Sequence, residues 1–210
     1  MKEKINRFFF GILYVIILWL CTSYSFLTFK LLFGLIAIIS LYEIYKMRKN
    51  KSKLLPIIFV LIPFVIIQMF NLNDNTNENY DPSIILFMFI LVWTFDSFAY
   101  VFGVNFGKNK IMPSISPKKS WEGFFGGLVC TVIIAHIITK NIDVNKVYII
   151  VVSIITPFTA SLGDFIISYY KRAAKVKDSG KIIPGHGGIL DRMDAFIITI
   201  PVFYILINLL

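Results

Sequence analysis

The residues best suited to chemistry are acids placed where acids are costly. Asp96 and Asp164 each lie inside a long apolar run, where an ionisable side chain costs roughly 2.5 to 3.5 kcal/mol at the centre of a membrane helix and so points to a function. After Asp164 the chain runs Phe-Ile-Ile-Ser168-Tyr-Tyr-Lys171-Arg172. Positions 164, 168, 171 and 172 share one helical face at i, i+4, i+7 and i+8, which aligns a carboxylate, a hydroxyl and two cations. Asp191 and Asp194 open the last apolar segment at i, i+3 and point to one side. Together with Asp164 they offer three carboxylates and no cysteine, a set that favours a hard cation such as Mg²⁺ over zinc. Plainer readings stay open: an ion pair or interhelical hydrogen bond for Asp96 or Asp164, and a helix start favoured by the dipole for Asp191 and Asp194.

The surrounding residues suit phosphate. Segment 170–194 carries Lys171, Arg172, Lys175, Lys177, Asp178, Lys181, Gly185, His186, Gly187, Gly188 and Arg192. Open backbone N–H groups beside lysines and a helix N-terminus attract anions. His186 has no second histidine near it, so zinc is not expected there; backbone geometry or a hydrogen bond to phosphate is. In segment 104–120, Ser116-Pro-Lys118-Lys119-Ser120 sets two adjacent lysines between hydroxyls, a pattern that meets a polyphosphate. Glu122 either caps the following helix or pairs with a lysine. His136, Cys21 and Cys130 sit within apolar runs and read as packed core residues.

Long apolar blocks must position these groups. Of 210 residues 57% are apolar and 16% charged, against roughly 25% charged in soluble domains, which places the chain in the membrane class. Apolar segments at 8–22, 26–45, 54–70, 83–102, 121–139, 147–169 and 195–210 predict an all-α transmembrane bundle of about seven spans, a single domain over 1–210. The tight turn at 23–25 makes the first two a helical hairpin. No small-x-small cleavage site follows the basic N-terminus, so the first segment is expected to be retained. With the N-terminus inside, 18 of the 21 lysines and arginines fall on the cytoplasmic side, as the positive-inside bias requires. That bias also explains the net charge of +9 without nucleic acid as a partner. Segments 104–120 and 170–194 then form two cytoplasmic loops.

At this point the residues match a known pattern. Ser168-x-x-Lys171-Arg172, Lys177-Asp178-x-Gly180 and Ile183-Pro184-x-His186-Gly187-Gly188-x-x-Asp191-Arg192-x-Asp194 resemble the signature of phosphatidate cytidylyltransferases, the CDP-diacylglycerol synthases. Ser116-Pro-Lys-Lys-Ser-Trp-Glu-Gly123 and Asp96-Ser-Phe-Ala-Tyr100 resemble two further segments of that family. Tyr170 departs from it, standing where the pattern prefers an aliphatic residue. The chain is also shorter than bacterial members, with spans expected to be missing from its first half.

The resemblance implies that CTP and phosphatidate give CDP-diacylglycerol and pyrophosphate. It implies a multi-span fold in a bacterial cell membrane, with a polar cavity open to cytoplasm and lipid, and it allows a homodimer. Carried onto this sequence, Asp164, Asp191 and Asp194 become metal and catalytic carboxylates for Mg²⁺, with a second cation allowed, and Lys171 a catalytic cation. Ser168, Arg172, Lys177, Asp178, His186, Gly187, Gly188, Arg192, Ser116, Lys118, Lys119 and Asp96 become substrate-binding residues.

Elementary chemistry agrees with that assignment. A phosphate monoester is already an oxyanion near neutral pH, so its attack on phosphorus needs charge relief and in-line positioning rather than a strong base. Carboxylate-held metal and lysines meet the need. A CDP-archaeol synthase or a polyprenol kinase is the nearest rival, and the intact signature through Asp194 favours diacylglycerol. A transporter using Asp96 and Asp164 would show two similar broken spans in corresponding halves, which this sequence lacks.

Overall fold

The structure is a computed structural model describing residues 2–48, 52–70, 80–140, 145–183, 185 and 187–209, leaving aside the side chains of 2–8. Helices α1 (Lys2–Tyr24) and α2 (Phe26–Met47) fold back on each other across Ser25. Ser25 Oγ accepts the Thr28 N–H at 3.2 Å and Thr28 Oγ1 accepts the Ser25 N–H at 3.2 Å, a reciprocal cap that ends one helix and starts the next. The Thr28 hydroxyl also lies 2.7 Å from the Cys21 carbonyl oxygen, to which it donates. The hairpin predicted at 23–25 is thereby locked from both sides.

Each remaining apolar segment also folds as a helix: α3 (Leu54–Ile67), α4 (Ser83–Phe106), α5 (Trp121–Thr139), α6 (Lys146–Ala173) and α8 (Phe196–Leu209), with the single turn α7 (Leu190–Met193) before the last. Four of them, α2, α4, α5 and α6, are long and apolar enough to cross a membrane; Phe9–Tyr24 of α1, α3 and α8 are shorter. At 1.5 Å per residue, the 14 residues of α3 or α8 rise about 21 Å against a hydrocarbon core of about 30 Å. The 28 residues of α6 rise about 42 Å, longer than that core, and Lys171 and Arg172 stand in its last turn.

Packing follows the rules of lipid rather than of water. Phe29, Phe33, Phe89, Phe196 and Phe203 are fully buried between α2, α4 and α8, whereas Leu31, Leu35, Ile38, Ile133, Ile137 and Leu162 are all more than half exposed. Without a hydrophobic drive between helices in lipid, close backbone approach through small residues holds them together. The α4–α5 seam shows it. A Cβ added at Gly123 would lie 2.6 Å from the Ala99 carbonyl oxygen and 3.0 Å from Gly103 Cα, and one at Gly127 would lie 2.9 Å from the Phe95 ring.

Segment 104–120 is not a plain loop: it adds one small hairpin to an otherwise helical bundle. After α4 runs on to Phe106, β1 (Lys110–Met112) and β2 (Ser116–Ser120) form an antiparallel hairpin with Lys110 opposite Ser120 and Met112 opposite Ser116. Ser120 Oγ accepts the Gly123 N–H at 3.2 Å and so starts α5. Glu122 accepts from the Asn109 backbone N–H at 3.1 Å and from its side-chain amide at 2.8 Å, which ties the foot of the hairpin to α5. Glu122 was expected to cap α5 or to pair with a lysine; its hydrogen bonds instead fasten Asn109 and so serve the hairpin.

Candidate functional site

At the end of the bundle where the hairpin meets α6 and α7, cations and carboxylates interleave. Lys119 on β2 reaches Asp164 Oδ2 on α6 at 2.5 Å, and its ammonium lies 5.1 Å from the Phe165 ring centroid. The other oxygen of Asp164 accepts from the Ser168 hydroxyl at 3.1 Å, the i, i+4 relation expected from the helical face. One turn further on, Lys171 turns inward. Its ammonium sits 2.8 Å from Asp191 Oδ1 and 3.9 Å from Asp194 Oδ2, with side-chain exposures of only 9%, 5% and 15% for the three groups.

Asp191 does two things at once. Its Oδ1 holds Lys171, while its Oδ2 accepts the backbone N–H groups of Ser179 at 2.7 Å and Gly188 at 2.9 Å. The loop is shaped for this: Gly187 has φ +87°, and a Cβ there would lie 2.7 Å from Asp191 Oδ2. Glycine supplies that backbone conformation without a steric penalty. An antiparallel bridge from Ile183 N–H to the Gly187 carbonyl at 2.9 Å closes the loop on itself.

Asp194 differs from its neighbours. Its Oδ1 accepts the Ala195 N–H at 2.9 Å, and Oδ2 faces Lys171 at the longer distance. Burial pushes this carboxyl well above the usual carboxylate range; the charge of Asp164 adds to the rise and Lys171 opposes it. Desolvation and a like charge both disfavour the ionised form. The carboxylate is thus held at a cost that a bound cation would relieve.

A cavity of about 560 Å³ lies beside the Lys119–Asp164 pair. Asp96, Ser116, Lys118, Lys119 and Ser161 provide its polar wall, and Phe95 and Phe124 form part of its apolar side. The structure therefore brings Asp96, Ser116, Lys118 and Lys119 to one cavity, next to Asp164 and Ser168. It places other expected residues elsewhere. Arg172 is exposed, and its guanidinium donates to the carbonyls of Ile115 at 3.3 Å and Val176 at 3.0 Å, tying the hairpin to the loop after α6. Lys177 and Asp178 are exposed on that loop. Gly188 and Gly187 back onto Asp191. Arg192 lies on α7, its carbonyl accepting from the Tyr14 hydroxyl at 3.3 Å. His186 and Pro184 lie outside the described residues.

Among the described residues no three His, Cys, Asp or Glu side chains come close enough together to hold one metal ion. Ammonium groups bridge the three aspartates instead: Lys119 stands against Asp164, and Lys171 stands between Asp191 and Asp194. The donor chemistry still suits a hard divalent cation, with carboxylate oxygens and no thiolate at the cluster.

One residue of this end was not anticipated from sequence. Glu43 on α2 is 2% exposed. Its Oε2 accepts from the Ser179 hydroxyl at 2.7 Å and the Leu190 N–H at 2.9 Å, and its Oε1 from the Ile189 N–H at 3.1 Å. The signal was available: Glu43 is an acid inside the apolar segment 26–45, as unusual there as Asp96 is in its own.

An apolar bundle, four of whose helices are long enough to cross a membrane, thus gathers lysines, carboxylates and a glycine-rich loop at one end. This chain belongs to the cytidylyltransferase family, whose model matches residues 51–210. It is 37% identical over 198 residues to the phosphatidate cytidylyltransferase of Rickettsia bellii, covering 90% of this chain and 82% of that protein. It is 41% identical over 165 residues to the Haemophilus influenzae protein of that name, covering 57% of it. With the Staphylococcus epidermidis protein of the same name it shares 45% identity over 125 residues. The chain covers about half the length of the staphylococcal relatives, 48% in this case.

Proposed function

We propose that this chain transfers the cytidylyl group of CTP to phosphatidate, giving CDP-diacylglycerol and releasing pyrophosphate. The observation that carries the reading is the alternation of Lys119, Asp164, Lys171, Asp191 and Asp194 beside a cavity bounded by both charged and apolar residues. Relatives named phosphatidate cytidylyltransferase support it. In the reaction a phosphate oxygen of phosphatidate attacks the α-phosphorus of CTP, and the bond to the pyrophosphate oxygen breaks. Lys119, Lys118 and Lys171 offset the charge of two anionic reactants, and the hairpin and the 178–190 loop hold them in line. Ser116 donates to phosphate oxygens, while the Ser168 hydroxyl and the Gly188 amide hold Asp164 and Asp191 in place beside them. Asp96 contributes to the polar wall that orients the reactants, while Arg172 acts by tying hairpin to loop. The carboxylates of Asp164, Asp191 and Asp194 are the hard oxygen donors at this end of the bundle; with Lys119 and Lys171 standing between them they do not share one ion as they stand, and Mg²⁺ drawn to them would supply charge neutralisation on the triphosphate.

The helices α1 to α6 and α8 would thread a bacterial cell membrane as seven crossings with the N-terminus and the site on the cytoplasmic side. The distribution of lysines and arginines supports that orientation. The test is direct: purified protein in detergent with phosphatidate, Mg²⁺ and CTP labelled at the α-phosphate. Label should pass into the organic phase as CDP-diacylglycerol with stoichiometric pyrophosphate release. Organic-phase label that never exceeds the phosphatidate-free control would end the proposal.

A further inference from the structure

We propose that Glu43 is a positioning residue for this reaction, a clamp on α2 that holds the 178–190 loop in register with Lys171 and Asp191; its catalytic consequence rests on the function proposed above. Glu43 lies outside residues 51–210 that the family model matches. Yet its carboxylate is buried at the heart of the loop, and three donors meet it: the Ser179 hydroxyl and the backbone amides of Ile189 and Leu190. Asp191 takes the neighbouring amides, Ser179 and Gly188. Two carboxylates from distant parts of the chain therefore divide one loop between them. Ser179 is fastened to both, by its hydroxyl to Glu43 and by its N–H to Asp191.

The chemistry demands a carboxylate at this position. All three partners donate, so an amide in place of the acid turns an NH₂ group against a donor. Burying a carboxylate is costly unless hydrogen bonds compensate it, and here the compensation comes from the loop alone among the contacts seen. The loop is cut to fit. A Cβ at Gly180 would lie 2.8 Å from Glu43 Cδ, and one at Gly188 would lie 2.5 Å from Glu43 Oε1. Tyr14 on α1 reaches the same region through the Arg192 carbonyl, so both N-terminal helices hold the site from one flank.

The experiment compares full-length wild type with Glu43→Gln, Ser179→Ala and Gly188→Ala in detergent, by three measurements. Trypsin cleavage after Lys177 and Lys181 reports loop anchoring without any need for turnover. Steady-state kinetics with CTP and phosphatidate report positioning, and thermal melting reports global folding. Glu43→Gln is expected to speed loop cleavage roughly tenfold, because local opening governs cleavage, and to lower kcat by roughly 10- to 100-fold, as loss of an orienting partner does, with KM for CTP changed less than kcat. Ser179→Ala should move both readouts in the same direction while melting stays near wild type, which keeps the test decisive if Glu43→Gln does not fold; Gly188→Ala, whose Cβ would run into Ser179 and Glu43, should move both readouts further. Wild-type cleavage and kcat in the variants would overturn the proposal, as would equal losses of kcat and melting temperature in all three. A wild-type protein without turnover would refute the proposed function, whereas the cleavage rates would still decide the clamp.

Discussion

Replacing Asp191 by Asn separates its two duties. Asn can keep its oxygen toward the Ser179 and Gly188 amides, at 2.7 and 2.9 Å in the parent, but its NH₂ then faces the Lys171 ammonium. The reverse orientation keeps Lys171 and sets NH₂ against two N–H donors. Breaking a buried ion pair by removing one partner costs about 3 to 5 kcal/mol. Asp194, whose Oδ2 is 3.9 Å from the same ammonium, takes up part of the orphaned charge, so the expected loss is about 2 to 3 kcal/mol. For a protein of this size that is a fall in melting temperature of roughly 4 to 12 °C. Turnover in the proposed reaction should fall at least roughly 100-fold, since the Lys171 ammonium loses the carboxylate that fixes its position. Melting in detergent and radiolabelled turnover measure the two effects on one preparation. The double variant Asp191→Asn, Lys171→Met should recover part of the lost stability, because no ammonium is left unpaired. Wild-type melting in Asp191→Asn, or a double variant as unstable as the two losses added, would refute the reasoning.

Asp194→Asn should behave differently: with no short ion pair to lose, its melting temperature should stay within about 2 °C of wild type or rise, while pyrophosphate release is abolished. The raised Asp194 carboxyl sets a pH dependence. Below the ordinary carboxylate value the group is protonated folded and unfolded, its stabilising contribution is fully present, and that contribution is lost as pH rises through the elevated folded value. Wild type should therefore lose stability relative to Asp194→Asn over that window, while stabilisation by added Mg²⁺ grows; parallel melting curves against pH would contradict this. For topology, cysteine placed at exposed Lys177 should react with an impermeant thiol reagent from the cytoplasmic side and cysteine at exposed Lys140 from the other, in a background lacking Cys21 and Cys130; the opposite pattern would invert the orientation.

The sequence carried the helices well because apolar runs and capping residues are local signals. Ser25, Ser120 and Asn145 start helices where polar residues precede apolar ones, and the i, i+4 pairing of Asp164 with Ser168 needed only helical geometry. What it concealed was long-range. Lys119 meets Asp164 across a hairpin whose strands, three and five residues long and carrying Pro117, have no clear alternating pattern. Lys171 shares the helical face of Asp164 as expected, but nothing local told that its ammonium would meet Asp191 and Asp194, which come from 20 and more positions further on. Glu43 was hidden for the same reason: its partners are 136 to 147 positions away, and backbone amides leave no mark on a sequence.

The glycine seam between α4 and α5 sets how far apart those two helices can sit. With Gly123 seated against the Ala99 carbonyl and Gly103, they run like rails with no slack between them, and the hairpin that carries Lys118 and Lys119 hangs from their shared end. A bulky residue at position 123 would pry the rails apart and shift both lysines without changing a single charge.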